Sequence, residues 1–300
     1  MDVHTELAGS FLDCDALPKR ATGQCFGTFG ELLQGVLPNN RHFLVTLPVD
    51  LETVVDFEVN EDTRVSASIA SRTKACRAAD EYLCRNDLPP GGKLHFKSVF
   101  PAGKGLASSS ADMVAAIRAA ARAHLREVVP FEIECILRNI EPTDGVMYDG
   151  VVSFYHRDVE LDERLGDVPP LSIIGACRSG ECDTIKFNQT RHEVSAQLRG
   201  EYLELLKEIK TAFRNNDLKS LGAISTRSCE LSQTFNPMPH LDTMHSLMVE
   251  TDALGLIAAH SGTYLGLLYD VNDPERVSKS TYAQMKLQAN RISSQHYRTV

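Results

Sequence analysis

The stretch FPAGKGLASSSADMVAA, residues 100–116, decides how the rest of the chain is read. Before it, residues 93–99 alternate, with Leu94 and Phe96 set between Lys93, His95 and Lys97. After it comes an alanine-rich run in which Met113, Ile117, Ala121 and Leu125 recur every four residues. The first pattern predicts a half-buried strand. The second predicts an amphipathic helix, with Arg118, Arg122 and Arg126 on its other side. Two glycines and three consecutive serines stand between them. A helix N-terminus exposes unpaired backbone N–H groups and carries partial positive charge. Small residues let an anion come close to those donors. Gly105 supplies backbone freedom, and Ser108, Ser109 and Ser110 supply helix caps or hydroxyls for an oxyanion or a metal. Phosphate is the natural guest; an ordinary capped helix after a flexible turn is the other reading. The stretch is no Walker A loop, because Lys104 precedes the second glycine, and it contains no Gly-x-Gly-x-x-Gly.

Working outward, residues 41–58 are rich in Phe, Val, Leu and Thr and read as extended. Residues 71–86 read as a helix with Ala75, Ala78, Ala79, Tyr82 and Leu83 on one side. Residues 87–92 punctuate the chain with Pro-Pro-Gly-Gly. Helix is expected over 131–140 and strand over 150–155. The acidic stretch 158–170, with its Pro-Pro pair, marks the expected boundary between two domains, 1–165 and 166–300. Beyond it, LSIIGA (171–176) is a buried-strand run, and Leu198, Leu205, Ile209 and Phe213 carry helical spacing over 192–213. Helices follow near 217–231, 241–254 and 274–292, the last leading to a polar end. Residues 258–270 read as a glycine-containing turn between apolar runs. Strands and helices mix without a regular βαβ repeat, so the expected class is α+β.

The 300 residues carry a net charge of −9, which argues against a basic nucleic-acid-binding surface. No apolar stretch approaches 18 residues, and the N-terminus lacks a signal-like basic and apolar pair, so a cytoplasmic protein is expected. Eight cysteines are scattered without a CxxC pair and read as reduced thiols rather than a metal site. His156, His192 and His245 show no ligand spacing and read as surface or core histidines.

The serine loop resembles the second motif of the GHMP kinase superfamily, the group of galactokinase, homoserine kinase, mevalonate kinase and phosphomevalonate kinase. In the pattern Pro-x-x-x-Gly-Leu-Gly-Ser-Ser-Ala, Pro101, Gly105, Leu106, Ser108 and Ser109 match and Ala107 replaces a glycine. CFGTFGELLQG (25–35) stands where the first motif belongs, without its usual Ala-Pro-Gly-Lys opening or Gly-Glu-His ending. HSGTYLG (260–266) resembles the third motif. Residues 30–35, 101–112, 140–144 and 259–262 resemble the L-threonine kinase branch in particular, whose members make O-phospho-L-threonine for the cobalamin linker.

That resemblance implies an N-terminal domain like the second domain of ribosomal protein S5. A ferredoxin-like α+β domain follows, with the nucleotide in the cleft between them. It implies ATP and Mg²⁺. Pro101, Gly103, Lys104, Gly105, Leu106, Ala107, Ser108, Ser109, Ser110 and Gly262 would surround the phosphates. Lys104 would neutralise phosphate charge. Ser109 and Glu141 would hold the metal, with Glu132 or Glu134 as alternatives for the acid. Asp144 would accept the acceptor's hydroxyl proton or only orient that hydroxyl. Glu31, Gln34, Thr143, His260 and Ser261 would face the amino-acid substrate. Asp112, in the expected first turn of the helix, would favour the dipole or hold a lysine or the substrate amine. Other acceptors (homoserine, serine, a hydroxylated amino acid) stay open, as does a catalytically silent ligand sensor. A homodimer is the assembly considered.

Overall fold

A computed structural model describes residues 20–101, 103–177, 194–233, 235, 237–260 and 264–300. Its backbone is a sheet on which helices lie. In chain order, β1 (Arg20–Val36) and β2 (His42–Glu58) form a long hairpin, followed by β3 (Val65–Ala67), α1 (Thr73–Arg85) and β4 (Gly92–Ser98). Then come α2 (Ser108–Ala123), α3 (Pro130–Leu137), β5 (Val151–Tyr155), β6 (Glu160–Gly166) and β7 (Leu171–Cys177). The remainder is α4 (Ala196–Arg214), α5 (Leu218–Ser232), α6 (Leu241–Glu250), β8 (Gly255–Ala258), β9 (Tyr264–Asp270), α7 (Arg276–Ala289) and β10 (Ser294–Arg298).

The strands run β10-β7-β9-β8-β1-β2-β4-β3, with β5 branching from β2 and β6 from β5. All pairings are antiparallel except β3 with β4, so the α+β expectation holds. The strands from the two ends of the chain meet at one register pair, Glu31 with Ala258. Beside that pair the β1–β2 register slips twice, between Thr28 and Glu31 and between Glu31 and Leu33. Bulges of this kind re-aim side chains next to functional sites.

The predicted face of α1 is the buried one: Ala75, Ala78, Ala79, Tyr82 and Leu83. For α2 the expected sides hold, with Met113, Ile117 and Ala121 buried and Arg122 exposed, but the buried face is much wider than an amphipathic helix implies. Nearly every residue of α2 is buried, because β1, β2 and α1 enclose it. Its alanines permit that: a Cβ on Gly23 of β1 would lie 2.1 Å from Ala115 O and 2.4 Å from Ala119 N. Strand and helix backbones therefore touch, and a larger residue at Gly23 would force them apart. The expected polar side is there but narrow: Arg122 is exposed and Arg118 half-buried, and both guanidiniums bond back to the sheet or its neighbouring loop. Arg118 bonds Gln24 O (2.9 Å) and Met147 O (3.0 Å), and Arg122 bonds Thr22 O (3.0 Å). Leu125 is 69% exposed because the helix has ended, with Leu125 itself at φ 55°.

Three elements lie where the sequence reading assigned none. Residues 160–166, within the expected boundary stretch, form strand β6, paired with β5. The polar C-terminus forms β10 against β7, with Tyr297 packed 4.8 Å from Phe29 of β1. The first motif lies within β1 itself, one of the two longest strands. Cys25, Cys76, Cys84, Cys135 and Cys229 are free thiols, as expected. Among the described residues no helix is long and apolar enough to cross a membrane.

Candidate active site

The serine loop enters α2 through three left-handed residues: Gly103 (φ 69°), Gly105 (φ 77°) and Ala107 (φ 59°, ψ 25°). Ala107 is the N-cap, and it makes no side-chain cap bond. The serines therefore do not cap the helix. The first intrahelical bond runs from Ala111 N–H to Ala107 O (2.9 Å), leaving the N–H groups of Ser108, Ser109 and Ser110 ahead of it. These are the donors a helix start offers to an anion. The loop is fixed to β1 by Thr28 N–H donating to Leu106 O at 3.1 Å.

Freed from capping, the serine hydroxyls reach the loop that follows α3. Ser109 Oγ donates to Glu141 Oε1 (2.5 Å). Ser110 Oγ accepts from Thr143 Oγ1 (2.6 Å) and donates to Asp144 Oδ2 (3.4 Å). Lys74, at the start of α1, pairs with the second oxygen of Glu141. Thr143 N–H donates to His156 O (3.1 Å), which ties this loop to the end of β5. Burial, and next the charge of Glu141, push the Asp144 carboxyl up to about 6. The Ser110 hydrogen bond opposes that rise.

The β1 bulge delivers the opposite wall. Gly30 (φ 60°) stands where a Cβ would fall 2.5 Å from Ala258 O, so only glycine allows β1 to cross β8 there. Next to it Glu31 is 2% exposed and its Oε2 has no hydrogen-bond partner among the described residues. Burial, then the Asp144 charge, hold its carboxyl well above the usual carboxylate range. Gln34 Oε1 lies 2.7 Å from His260 Nδ1, and Gln34 N–H donates to Ser228 Oγ (3.1 Å). The first contact assigns the Nδ1–H tautomer to His260. Burial, then the nearby Arg157 and His42, lower the His260 imidazole to about 3.

These groups surround a cavity of about 440 Å³, a size usual for a small-molecule site. Of the residues expected from sequence, Gly103, Gly105 and residues 106–110 line it on one side. Glu31, Glu141, Thr143, Asp144 and His260 line the rest. Pro101 and Lys104 do not line it, and Gln34 touches it only through His260. Ser261 and Gly262 lie outside the described residues. Glu132 and Glu134 face elsewhere: Glu132 accepts from Asn86, and Glu134 accepts from Tyr148 OH and Leu161 N–H. Asp112 falls beyond the first turn, buried, where it pairs with Arg72 (2.8 Å) and accepts from Thr53 Oγ1 (2.8 Å). It meets neither a lysine nor the cavity.

Sequence reasoning passed over two lining residues, Lys74 and His156. His156 directly follows the expected strand 150–155, and that position was its one signal. Among the described residues no three His, Cys, Asp or Glu side chains are placed to hold a metal. The hard oxygen donors that line the cavity are the Ser109 hydroxyl, which touches Glu141, and the carboxyl groups of Glu141, Asp144 and Glu31.

Comparison with known proteins shows the family. Residues 72–156, the span from α1 to His156, match the family model described as GHMP kinases N terminal domain. Residues 209–286 match GHMP kinases C terminal, and together the two cover more than half of the chain. An L-threonine kinase of Citrobacter freundii is 25% identical over 253 residues, 84% of this chain and 87% of that protein. One from Salmonella typhimurium is 28% identical over 261 residues, 83% of each. The crystal structure of homoserine kinase from Cytophaga hutchinsonii superposes with a TM-score of 0.75 at 15% identity, covering 97% of both chains.

Proposed function

From the premise that the chain belongs to the GHMP kinase family and is an ATP-dependent small-molecule kinase, we propose that its acceptor is the side-chain hydroxyl of a small amino acid, L-threonine, and its product O-phospho-L-threonine. The observation that carries this is one cavity shared by an open helix N-terminus, a Ser109–Glu141 pair and a carboxylate, Asp144, raised to about 6. Support for the amino acid comes from relatives named L-threonine kinase that align over more than four fifths of both chains.

The roles proposed for this chain's residues follow from their chemistry. Phosphoryl transfer is mostly positioning and charge stabilisation. The N–H groups of Ser108–Ser110 receive phosphate oxygens. Ser109 and Glu141 suit Mg²⁺, which takes hard oxygen ligands and keeps several waters. When bound there, Mg²⁺ supplies neutralisation of phosphate charge. As the acceptor oxygen bonds to the γ-phosphorus and the bond to the ADP oxygen breaks, the hydroxyl proton passes to Asp144. A carboxylate near 6 is a stronger base than one near 4 and is still ionised at neutral pH. We also propose two units, 1–165 and 166–300, supported by how little pairing joins them among the described residues: the Glu31–Ala258 register pair and the isolated Val49–Thr299 bridge.

The test is ADP release from Mg-ATP against L-threonine, L-serine, L-homoserine, mevalonate and galactose, with product masses. Release with L-threonine, and a product heavier by one phosphoryl group, is expected. Release with another member of the panel alone would overturn threonine and keep the kinase.

A further inference from the structure

The cavity holds polar groups that phosphoryl transfer leaves unused. His156 is 3% exposed, and neither ring nitrogen has a hydrogen-bond partner among the described residues. Its ring meets the His260 ring edge-on at 4.8 Å and the His42 ring at 6.0 Å. A buried polar atom without a partner is costly, and native proteins rarely leave one unless something else completes it. Here two such atoms sit on one ring that lines a cavity. The unpartnered Oε2 of Glu31, on the wall of the same cavity, makes a third.

The surroundings of these two residues differ in charge. Glu31 feels Asp144, which in turn feels Glu141. His156 is faced by the imidazoles of His260 and His42 and by the Arg157 guanidinium, which is a cation. A ligand that suits both presents a cation to the carboxyl side and an anion to the imidazole side. An α-amino acid zwitterion has that pattern, with donors for Glu31 and an acceptor for an imidazole N–H.

Resting on the amino-acid reading above, we propose that His156 determines acceptor specificity: its ring N–H donates to the α-carboxylate while Glu31 receives the α-ammonium. A hydrogen bond to a charged group is among the stronger ones. Losing it should weaken acceptor binding about 10- to 100-fold. A phenyl ring in place of the imidazole keeps the packing and removes two unpaired polar atoms. Such a replacement leaves stability unchanged or raises it.

Calorimetric titration of the full chain, with ADP bound, compares L-threonine with L-threoninamide for the unaltered protein, His156→Phe and His156→Leu. The unaltered protein is expected to prefer the carboxylate. In both variants the two ligands should bind within about threefold of each other, with ADP affinity unchanged and no fall in melting midpoint for His156→Phe. His156→Asn, which keeps an N–H donor, should recover part of the preference. A carboxylate preference that survives in either folded variant overturns the assignment. So does failure of both to fold, which would give the ring a structural role. If the unaltered protein binds none of L-threonine, L-serine and L-homoserine, the amino-acid reading itself fails. If it binds L-threonine and only the variant result is wrong, that reading stands and His156 alone falls.

Discussion

Two buried carboxyl clusters flank the start of α2, and they differ in their partners. Asp112, inside the helix, faces a cation and a hydroxyl: Arg72 at 2.8 Å and Thr53 at 2.8 Å. At the cavity Glu31 feels the charge of Asp144, and Asp144 that of Glu141. Burial raises all three carboxyls, but the neighbours of Asp112 oppose the rise while Asp144 and Glu31 each have a carboxylate that adds to it. The first cluster is arranged as scaffold. The second keeps carboxyl groups crowded in a place that costs stability, as sites built for proton transfer do.

The largest way to break that comparison is Asp144→Asn. The proposed role predicts a 10²- to 10⁴-fold fall in kcat with ADP affinity, read by calorimetry, within threefold. Stability should move the other way. The folded-state value of Asp144 is raised from 3.8 to about 6, so its charged form penalises the fold above pH 6. That penalty disappears as pH falls through 6 towards 4. The variant should therefore be more stable by about 3 kcal/mol at pH 7.5, with the gain shrinking by pH 4. For the unaltered protein kcat/KM should drop below about pH 6 as Asp144 takes up its proton. A flat rate profile from pH 5 to 8 would remove Asp144 as the proton acceptor.

Asp112→Ala tests the scaffold side. It strands a mostly buried guanidinium, since the Arg72 side chain is 16% exposed. Removing one partner of a buried pair costs about 3 kcal/mol, measurable by urea denaturation. kcat at a temperature well below unfolding should stay within about threefold. A large loss of activity without a loss of stability would move Asp112 from scaffold to site.

Ser109→Ala is the third and smaller test, because it trims one of the two oxygen donors proposed for Mg²⁺. The Mg²⁺ concentration for half-maximal rate should rise about tenfold, equivalent to roughly 1.4 kcal/mol. An unchanged Mg²⁺ titration would leave the Ser109 hydroxyl as only a tie to Glu141.

How much of this was legible in the sequence follows the same division. The face of α1 was readable because five side chains repeat at helical spacing over an ordinary helix. The serine loop, Glu141 and Asp144 were readable because their motifs are local. In α2 the two sides were readable, but the width of the buried face was not, because enclosure by β1, β2 and α1 is a tertiary fact that a four-residue period does not carry. β10 was unreadable because SQHYR carries no apolar alternation, and its pairing with β7 joins residues more than a hundred apart. His156 was hidden for a related reason. It lines the cavity beside Thr143, whose N–H donates to its carbonyl, and against His260, a residue from the other half of the chain, and spacing along the chain carries no trace of that ring contact.

The smallest effect sharpens the one departure from the glycine-rich pattern. Ala107 sits at φ 59° and ψ 25°, the left-handed region that disfavours a Cβ by about 1–2 kcal/mol. Gly103 and Gly105 take similar φ values at no such cost. Ala107→Gly relieves that strain, but it also frees the unfolded chain, which offsets about 0.4–1 kcal/mol. The two nearly cancel, so urea denaturation should show a gain of no more than about 1 kcal/mol. The N–H groups of Ser108–Ser110 keep their directions as long as the turn persists, so ADP affinity should change less than twofold. A tenfold loss of ADP affinity would mean that the alanine methyl itself holds the loop in its binding shape. The methyl would then be part of the phosphate cradle, and the left-handed strain at Ala107 would belong with Asp144 and Glu31, among the places where the fold gives up stability for the site.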